Sequence, residues 1–442
     1  MTRYIASRLP RQPGPAGWNR LLPDPPPATP LEADAGADVA IIGAGFAGLS
    51  AARRLVQIDP GLDVAVLEAG RVGEGPAGRN SGFMIDLPHD LASESYGGAA
   101  ARDLAQTRLN RAAIRFAAEA AEACALGRDV FDPCGKVNAA ATEAGEAHNR
   151  AYAGHLSRMQ EPCRLLDATE MAEMTGSRFY RSGLYTAGTV MLQPAAYVRG
   201  LAAGLAGAIR LHENSPVREI RKAGAGWVLS TPRARLRAGR VILATNGHAE
   251  SFGFFARRLM HVFTYASMTA PLPAGAPAGA GKWGVTPADP MGTTVRRIPT
   301  GDGGRIVIRS RFTYDPTMEV SAARIAAVGR AHDRRFAQRF PALAGLPMDY
   351  RWAGHLCLSW NGVPAWGEIE DGVFSAVCQN GLGTVKGTLA GMVAADLATG
   401  QPGDLARAAI AAAPPRRLPP EPLAYLGANA TLRWKDWAAR RE

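Results

Sequence analysis

Short apolar runs alternate with longer stretches of helical spacing along this chain. Residues 38–42 (Asp-Val-Ala-Ile-Ile) form a β-branched apolar run, as a strand buried on both faces requires. An Ala-, Leu- and Arg-rich helix follows, stops near Asp59-Pro60-Gly61, and gives way to a second apolar strand over 64–67. Leu104, Leu109, Ile114 and Phe116 have helical spacing within 98–128; residues 143–160, 167–174 and 194–205 predict further helices. Residues 179–192 read as strand and turn. Residues 209–211, 217–220 and 227–229 predict a short antiparallel set with a glycine turn at 224–226. A buried strand over 240–244 ends in Thr245-Asn246-Gly247. Residues 263–271 and 305–311 have strand character, and 322–340 is helical up to Pro341. A last strand over 371–378 runs into the turn 380–384 and a long Ala/Leu/Met helix. No internal repeat is present.

The first strand–helix–strand unit carries Gly43-Ala44-Gly45-Phe46-Ala47-Gly48, with Glu68 about 20 residues further on. Gly43 allows a tight turn, Gly45 lets a pyrophosphate approach the backbone, and Gly48 lets helix and strand pack closely. The helix start presents N–H groups and a positive dipole end to phosphates, and Glu68 suits ribose hydroxyls and disfavours a 2′-phosphate. A GxGxxG alone is weak; with strand, helix, second strand and acid in place it predicts a dinucleotide site. The glycine-dense stretch 70–83 leaves the carboxyl end of the second strand, where ligands sit in open α/β sheets, and predicts a functional loop.

At 442 residues, two domains are expected. No run approaches the length of a membrane span, and residues 1–30 lack the apolar segment of a secretory signal. Five scattered cysteines without CxxC spacing argue against a metal site and for a reducing, cytoplasmic setting. The net charge of +11 is carried almost wholly by dispersed arginines, so no nucleic-acid partner is expected.

Several features in one order complete the pattern: the first unit with Glu68, Arg79-Asn80-Ser81-Gly82, Leu243-Ala244-Thr245-Asn246-Gly247, and the region from Trp352 to Gly383. Together they resemble the FAD-dependent amine oxidoreductases of the D-amino-acid oxidase superfamily, which includes glycine, sarcosine and γ-glutamylputrescine oxidases. The resemblance covers roughly residues 36–400. It implies an α/β fold with a discontinuous Rossmann-type FAD domain (38–95, 186–258, 350–403) and an α+β substrate domain with a large antiparallel sheet (96–185, 259–349). Residues 1–37 would be a proline-rich arm and 404–442 an extended tail. It further implies that Gly43, Gly45, Phe46, Gly48, Glu68 and Ala69 hold the ADP half, with Val217 on the adenine side. Arg79, Asn80, Ser81 and Gly82 would pass the isoalloxazine ring; Thr245, Asn246 and Gly247 would lie near pyrophosphate and ribose. Gly381, Leu382, Gly383 and Thr384 would offer N–H groups to the flavin N1/C2=O edge, where charge develops on reduction.

Two departures matter. Some relatives attach flavin through a cysteine near the strand beginning at Trp352; Cys357 lies one residue off, so non-covalent FAD is expected. Some relatives that use oxygen place a lysine over the flavin from the strand equivalent to 305–311, which here contains none. Candidates for the reaction site are Tyr265, Arg309, Arg311, His355 and Asn380. Arg309 and Arg311, two apart on a strand, would share a face and suit a carboxylate if that face is inward. The expected activity is oxidation of the C–N bond of a small amine or amino-acid derivative. The acceptor is oxygen or an unknown carrier, and the alternatives are a dehydrogenase of the D-amino-acid or sarcosine type, or a non-catalytic flavin-bearing subunit.

Overall fold

A computed structural model describes residues 2–88, 98–301, 303–410 and 413–442. The expected domain boundary at 95/96 falls outside them. In chain order, strand β1 (Ala35–Ile42), helix α1 (Phe46–Ile58) and strand β2 (Val64–Leu67) form the first unit. Strands β3 (Arg235–Leu243), β4 (Met260–Thr269) and β5 (Arg305–Tyr314), then helix α2 (Ala322–Arg339), come next. Strands β6 (Met348–Leu358) and β7 (Val373–Val377) and helices α3 (Gly383–Ala398) and α4 (Leu423–Ala438) complete the frame.

The fold is α/β, and the described residues hold two large sheets. In the first, of nine strands, β1 lies between β2 and β3, all parallel, with Ile41 opposite Val66 and Ile242. The carboxyl half of β3 also pairs in parallel with β7. The amino half of β3 instead pairs antiparallel with Gly226–Ser230, so one strand joins a parallel core to an antiparallel flap. The second sheet has eight strands and is largely antiparallel, with β4 between β5 and β6. Among the described residues its single parallel pairing joins Trp283–Pro287 to Lys136–Ala140.

α3 is buried around almost its whole circumference, which its uniformly Ala-, Leu-, Val- and Gly-rich sequence permits. It crosses α1 at very close range. A Cβ on Gly391 would collide with Ala47 O and lie 2.8 Å from Ala51 N, and one on Gly387 would lie 3.1 Å from Phe46 Cβ. Close packing through these small residues brings the amino ends of α1 and α3 to one place.

Two expectations are corrected. Arg210–His212 is not part of an antiparallel set; it pairs in parallel with β2, giving that buried strand the backbone partners its outer edge needs. Only Glu219–Ala223 and Gly226–Ser230 form the antiparallel hairpin. The 404–442 segment is not extended: Asp404–Ala409 and α4 are helical, and α4 lays Ala424, Ala428, Leu432 and Ala439 against β4 and β5. Alanine is too weak a hydrophobic signal for that face to stand out in the sequence. The 1–37 arm lies on the body, adding Arg3–Ile5 to the flap edge and burying Trp18 from a short helix, Gly17–Arg20.

Candidate active site

A cavity of about 450 Å³ runs from the β1–α1 turn to the amino end of α3. Its first end is built by the glycine turn. Gly43 has φ +103°, and a Cβ there would lie 2.8 Å from Ala244 O; a Cβ on Gly48 would drive into Gly43 O. Gly45 meets only Ala77 Cβ, at 3.4 Å, so the protein itself does not require glycine at that position. Gly43, Gly45 and Phe46 line the cavity, whereas Gly48 lies behind it as a packing residue. Phe46 stacks on Tyr197 at 5.6 Å, fixing the first turn of α1.

Glu68 and Ala69 line the same end, with Val217 opposite. The Glu68 carboxylate is half-buried and accepts N–H bonds from Ala44 (2.8 Å) and Gly70 (3.1 Å). Burial pushes its pKa up, and those backbone donors partly offset the shift. The carboxylate therefore braces the glycine turn as well as facing the cavity.

Asn80 and Ser81 line the middle of the cavity; Thr245 and Asn246 face it from the end of β3. Asn246 also accepts from Cys378 N (3.1 Å), tying the β3 turn to the β7 turn. Gly381, Gly383 and Thr384 close the far end, with Thr384 Oγ1 donating to Phe83 O (2.8 Å). Neither α1 nor α3 has a side-chain cap, so both helix starts present backbone N–H groups and positive dipole ends at this cavity.

Arg79, Gly82 and Gly247 do not line it. The Arg79 guanidinium turns away and donates to Glu74 O (2.7 Å), Ala353 O (3.2 Å) and Gly14 O; burial lowers its pKa to about 10. Its role is to pin the loop. Gly82, at φ +77°, is forced by Arg296, which the sequence did not single out. That buried guanidinium donates to Ser81 O (2.8 Å) and Leu192 O (2.9 Å) and leaves no room for a side chain. Gly247 makes room for His355, whose Cε1 would lie 2.6 Å from a Cβ there.

Of the reaction candidates, His355 lines the large cavity, stacked on Phe263 at 5.2 Å. Burial, with His261 and His248 close by, holds its pKa well below the ordinary value, so the ring is neutral near pH 7. Arg309 lies on a second cavity of about 50 Å³ that shares Ser81, Phe83 and Gly381 with the first; Leu382 lines it too. The other three candidates lie elsewhere. Tyr265 faces α2 with Ile325 and Val328, its hydroxyl bonded to Thr313 Oγ1 (2.6 Å). Asn380 accepts from Ser359 N (2.8 Å) and donates to Gly362 O (3.0 Å), a loop-fastening role. Arg311 does not share Arg309's face. A bulge between Thr264 and Tyr265 leaves Arg311 unpaired at φ +67°, and it reaches Asp436 on α4 (3.2 Å).

A buried lysine stands beside the second cavity although β5 has none. Lys136 donates to Asn138 Oδ1 and to Thr286 Oγ1 (3.3 Å), and Thr286 lines that cavity. Burial lowers its pKa to about 8. Between about pH 8 and 10.5 the unfolded chain therefore holds a proton that the folded one has lost, so this group makes stability rise with pH across that window. Lys136→Met is expected to abolish that rise, measured as the pH dependence of denaturant unfolding; an unchanged slope would place the ammonium in water.

The residues present fit a flavin dinucleotide. Thr245 Oγ1 and His355 Nε2 are buried on the cavity wall without a protein partner, both helix starts are uncapped, and the Gly45 position is kept open by nothing in the protein. Cys357 packs beside Cys378 in the core and does not line the cavity; its neighbours His355 and Leu356 do. Among the described residues there is no group of side chains able to hold a metal, and no helix is long and apolar enough to cross a membrane.

The chain is 27% identical over 412 residues to a probable oxidoreductase OrdL of Rhizobium meliloti, covering 90% of this chain and 91% of that one. It is 26% identical over 386 residues to the gamma-glutamylputrescine oxidoreductase of Escherichia coli, covering 82% and 84%. Among solved structures, glycine oxidase from Geobacillus kaustophilus superposes with a TM-score of 0.69 at 22% identity, over 86% of this chain and 99% of that one. L-proline dehydrogenase from P. horikoshii superposes at 0.65 and 18%, over 84% and 96%. The model of the FAD dependent oxidoreductase family DAO matches residues 38–397, and the chain belongs to that family.

Proposed function

We propose that this enzyme oxidises the C–N bond of a small amine bearing a carboxylate, such as an amino acid or an N-substituted derivative. The observation that carries the reading is the second cavity: it opens on the same Ser81, Phe83 and Gly381 as the large one and has Arg309 on its wall. When bound, FAD supplies the hydride acceptor, flavin N5. Arg309 suits bidentate pairing with a carboxylate, which would turn the amine-bearing carbon toward the shared wall. The nitrogen lone pair forms the C=N bond as hydride leaves the carbon, the iminium so formed gives up a proton to water, and water hydrolyses the imine to a carbonyl compound and ammonia or, from an N-substituted substrate, an amine. With FAD bound, the uncapped start of α3 would offer N–H groups and a positive dipole end to the cofactor edge that becomes anionic on reduction, and His355, held neutral by burial, would add no charge there. Glycine oxidase, L-proline dehydrogenase and gamma-glutamylputrescine oxidoreductase, by their names, act on amines of this general kind.

The absence of lysine from β5 favours a second reading for the oxidative half-reaction, in which a carrier other than oxygen takes the electrons. Adding N-methyl amino acids, D-amino acids, polyamines and γ-glutamylated amines to the yellow protein under argon tests both readings. Bleaching of the flavin band by a carboxylate-bearing amine is the expected result; slow recolouring in air would identify a dehydrogenase. Bleaching only by amines without a carboxylate would overturn the substrate class.

A further inference from the structure

The outer face of α4 is apolar. Leu423, Leu426, Trp434 and Trp437 are each at least 60% exposed, although the helix is firmly held by its inner face. Asn429 bonds both Tyr314 N (3.1 Å) and Tyr314 O (3.0 Å), Asp436 pairs with Arg311 and Arg335, and the Glu442 side chain accepts from Ala141 N and Thr142 N. The stripe is therefore a presented surface, and exposed patches of this kind mark interaction sites.

Its spacing identifies the occupant. Positions 423, 426, 430, 434 and 437 share one helix face and are symmetric about Ala430, at four and seven residues on either side. Two copies of α4 crossing antiparallel at Ala430 would set each Trp434 against Leu426 of the second copy and each Trp437 against its Leu423. Gly427 and Ala430, both exposed and small, let the axes approach. The helix dipoles oppose in this crossing, which favours the antiparallel arrangement. Burying two Trp and two Leu from each side removes on the order of 1,000 Å² from water, and the stems of Arg433 and Arg440 extend this toward the size of a specific interface.

We propose that α4 forms a two-fold symmetric, antiparallel interface between two copies of this chain. Sedimentation of the full-length, flavin-loaded protein at micromolar concentration is expected to show a dimer. Trp434→Glu is expected to weaken it at least about 30-fold while leaving the flavin spectrum unchanged. Residue 430 would meet itself on the axis, so Ala430→Cys is expected to cross-link two chains on mild oxidation, whereas Arg433→Cys and the unmodified protein are not. A monomer at all concentrations, a dimer insensitive to Trp434→Glu, or equal cross-linking by Arg433→Cys would overturn the proposal. So would a monomer that floats with anionic vesicles through this stripe, which would assign it to a lipid surface.

Discussion

Gly48→Ala is expected to yield a colourless protein. The added methyl group would penetrate Gly43 O and stand 2.9 Å from Gly43 C and 3.3 Å from Ile41 Cγ2. Both obstacles are buried backbone or core, and neither can rotate away. Forced overpacking of this kind costs about 3 kcal/mol, or roughly 100-fold in FAD affinity if all of it falls on the turn. The FAD-free protein should also melt earlier, because the contact belongs to the β1–α1 unit itself. Gly45→Ala separates the two effects. Its Cβ meets only Ala77 Cβ at 3.4 Å, and its φ of −90° suits any residue, so the FAD-free protein should keep its stability within about 0.5 kcal/mol. Its FAD affinity should fall steeply, since a methyl group would stand where a pyrophosphate must approach. Fluorescence titration with FAD and thermal melts of the FAD-free variants decide this. If Gly45→Ala binds FAD normally, the phosphates are not at this turn.

The contrast between those glycines also shows what the sequence made legible. Most constraints on the first unit are local: Gly48 meets Gly43 and Ile41, and Glu68 holds Ala44, so spacing alone reveals them, whereas Gly43 also meets Ala244 O at the end of β3. The α3 turn was legible for the same reason. By contrast, the fit of α3 against α1 depends on Gly387 and Gly391 meeting residues some 340 positions away, and no periodicity reports such a partner. Arg296 was missed likewise: it looks like one more arginine until the fold lays Ser81 and Leu192 around it. Arg79, which the family resemblance set beside the isoalloxazine ring, turns its side chain away from the cavity. Here it satisfies three backbone carbonyls inside the protein.

The paired arginines of β5 give the sharpest separation between reading and geometry, and the largest expected effect on catalysis. Strict alternation gives Arg309 and Arg311 one face; the bulge opposite Tyr265 inserts a residue and breaks the alternation between them. Arg309 stays with Val307 on the side of the cavities, while Arg311 is carried to α4. Arg309→Met should therefore lower kcat/KM for a carboxylate-bearing amine by about 2–4 kcal/mol, or roughly 30- to 1,000-fold, and leave amines without a carboxylate nearly unaffected. Arg311→Met removes one contact from Asp436, which keeps Arg335 at 3.1 Å, so a loss of about 1 kcal/mol in stability and unchanged kcat/KM are expected. Anaerobic flavin reduction by paired substrates, with and without the carboxylate, reads both variants on one scale. Equal losses for the two substrates in Arg309→Met would mean that the guanidinium shapes the cavity without recognising the acid. A catalytic loss in Arg311→Met matching that of Arg309→Met would mean that the strand straightens on binding and restores the shared face that the bulge removes.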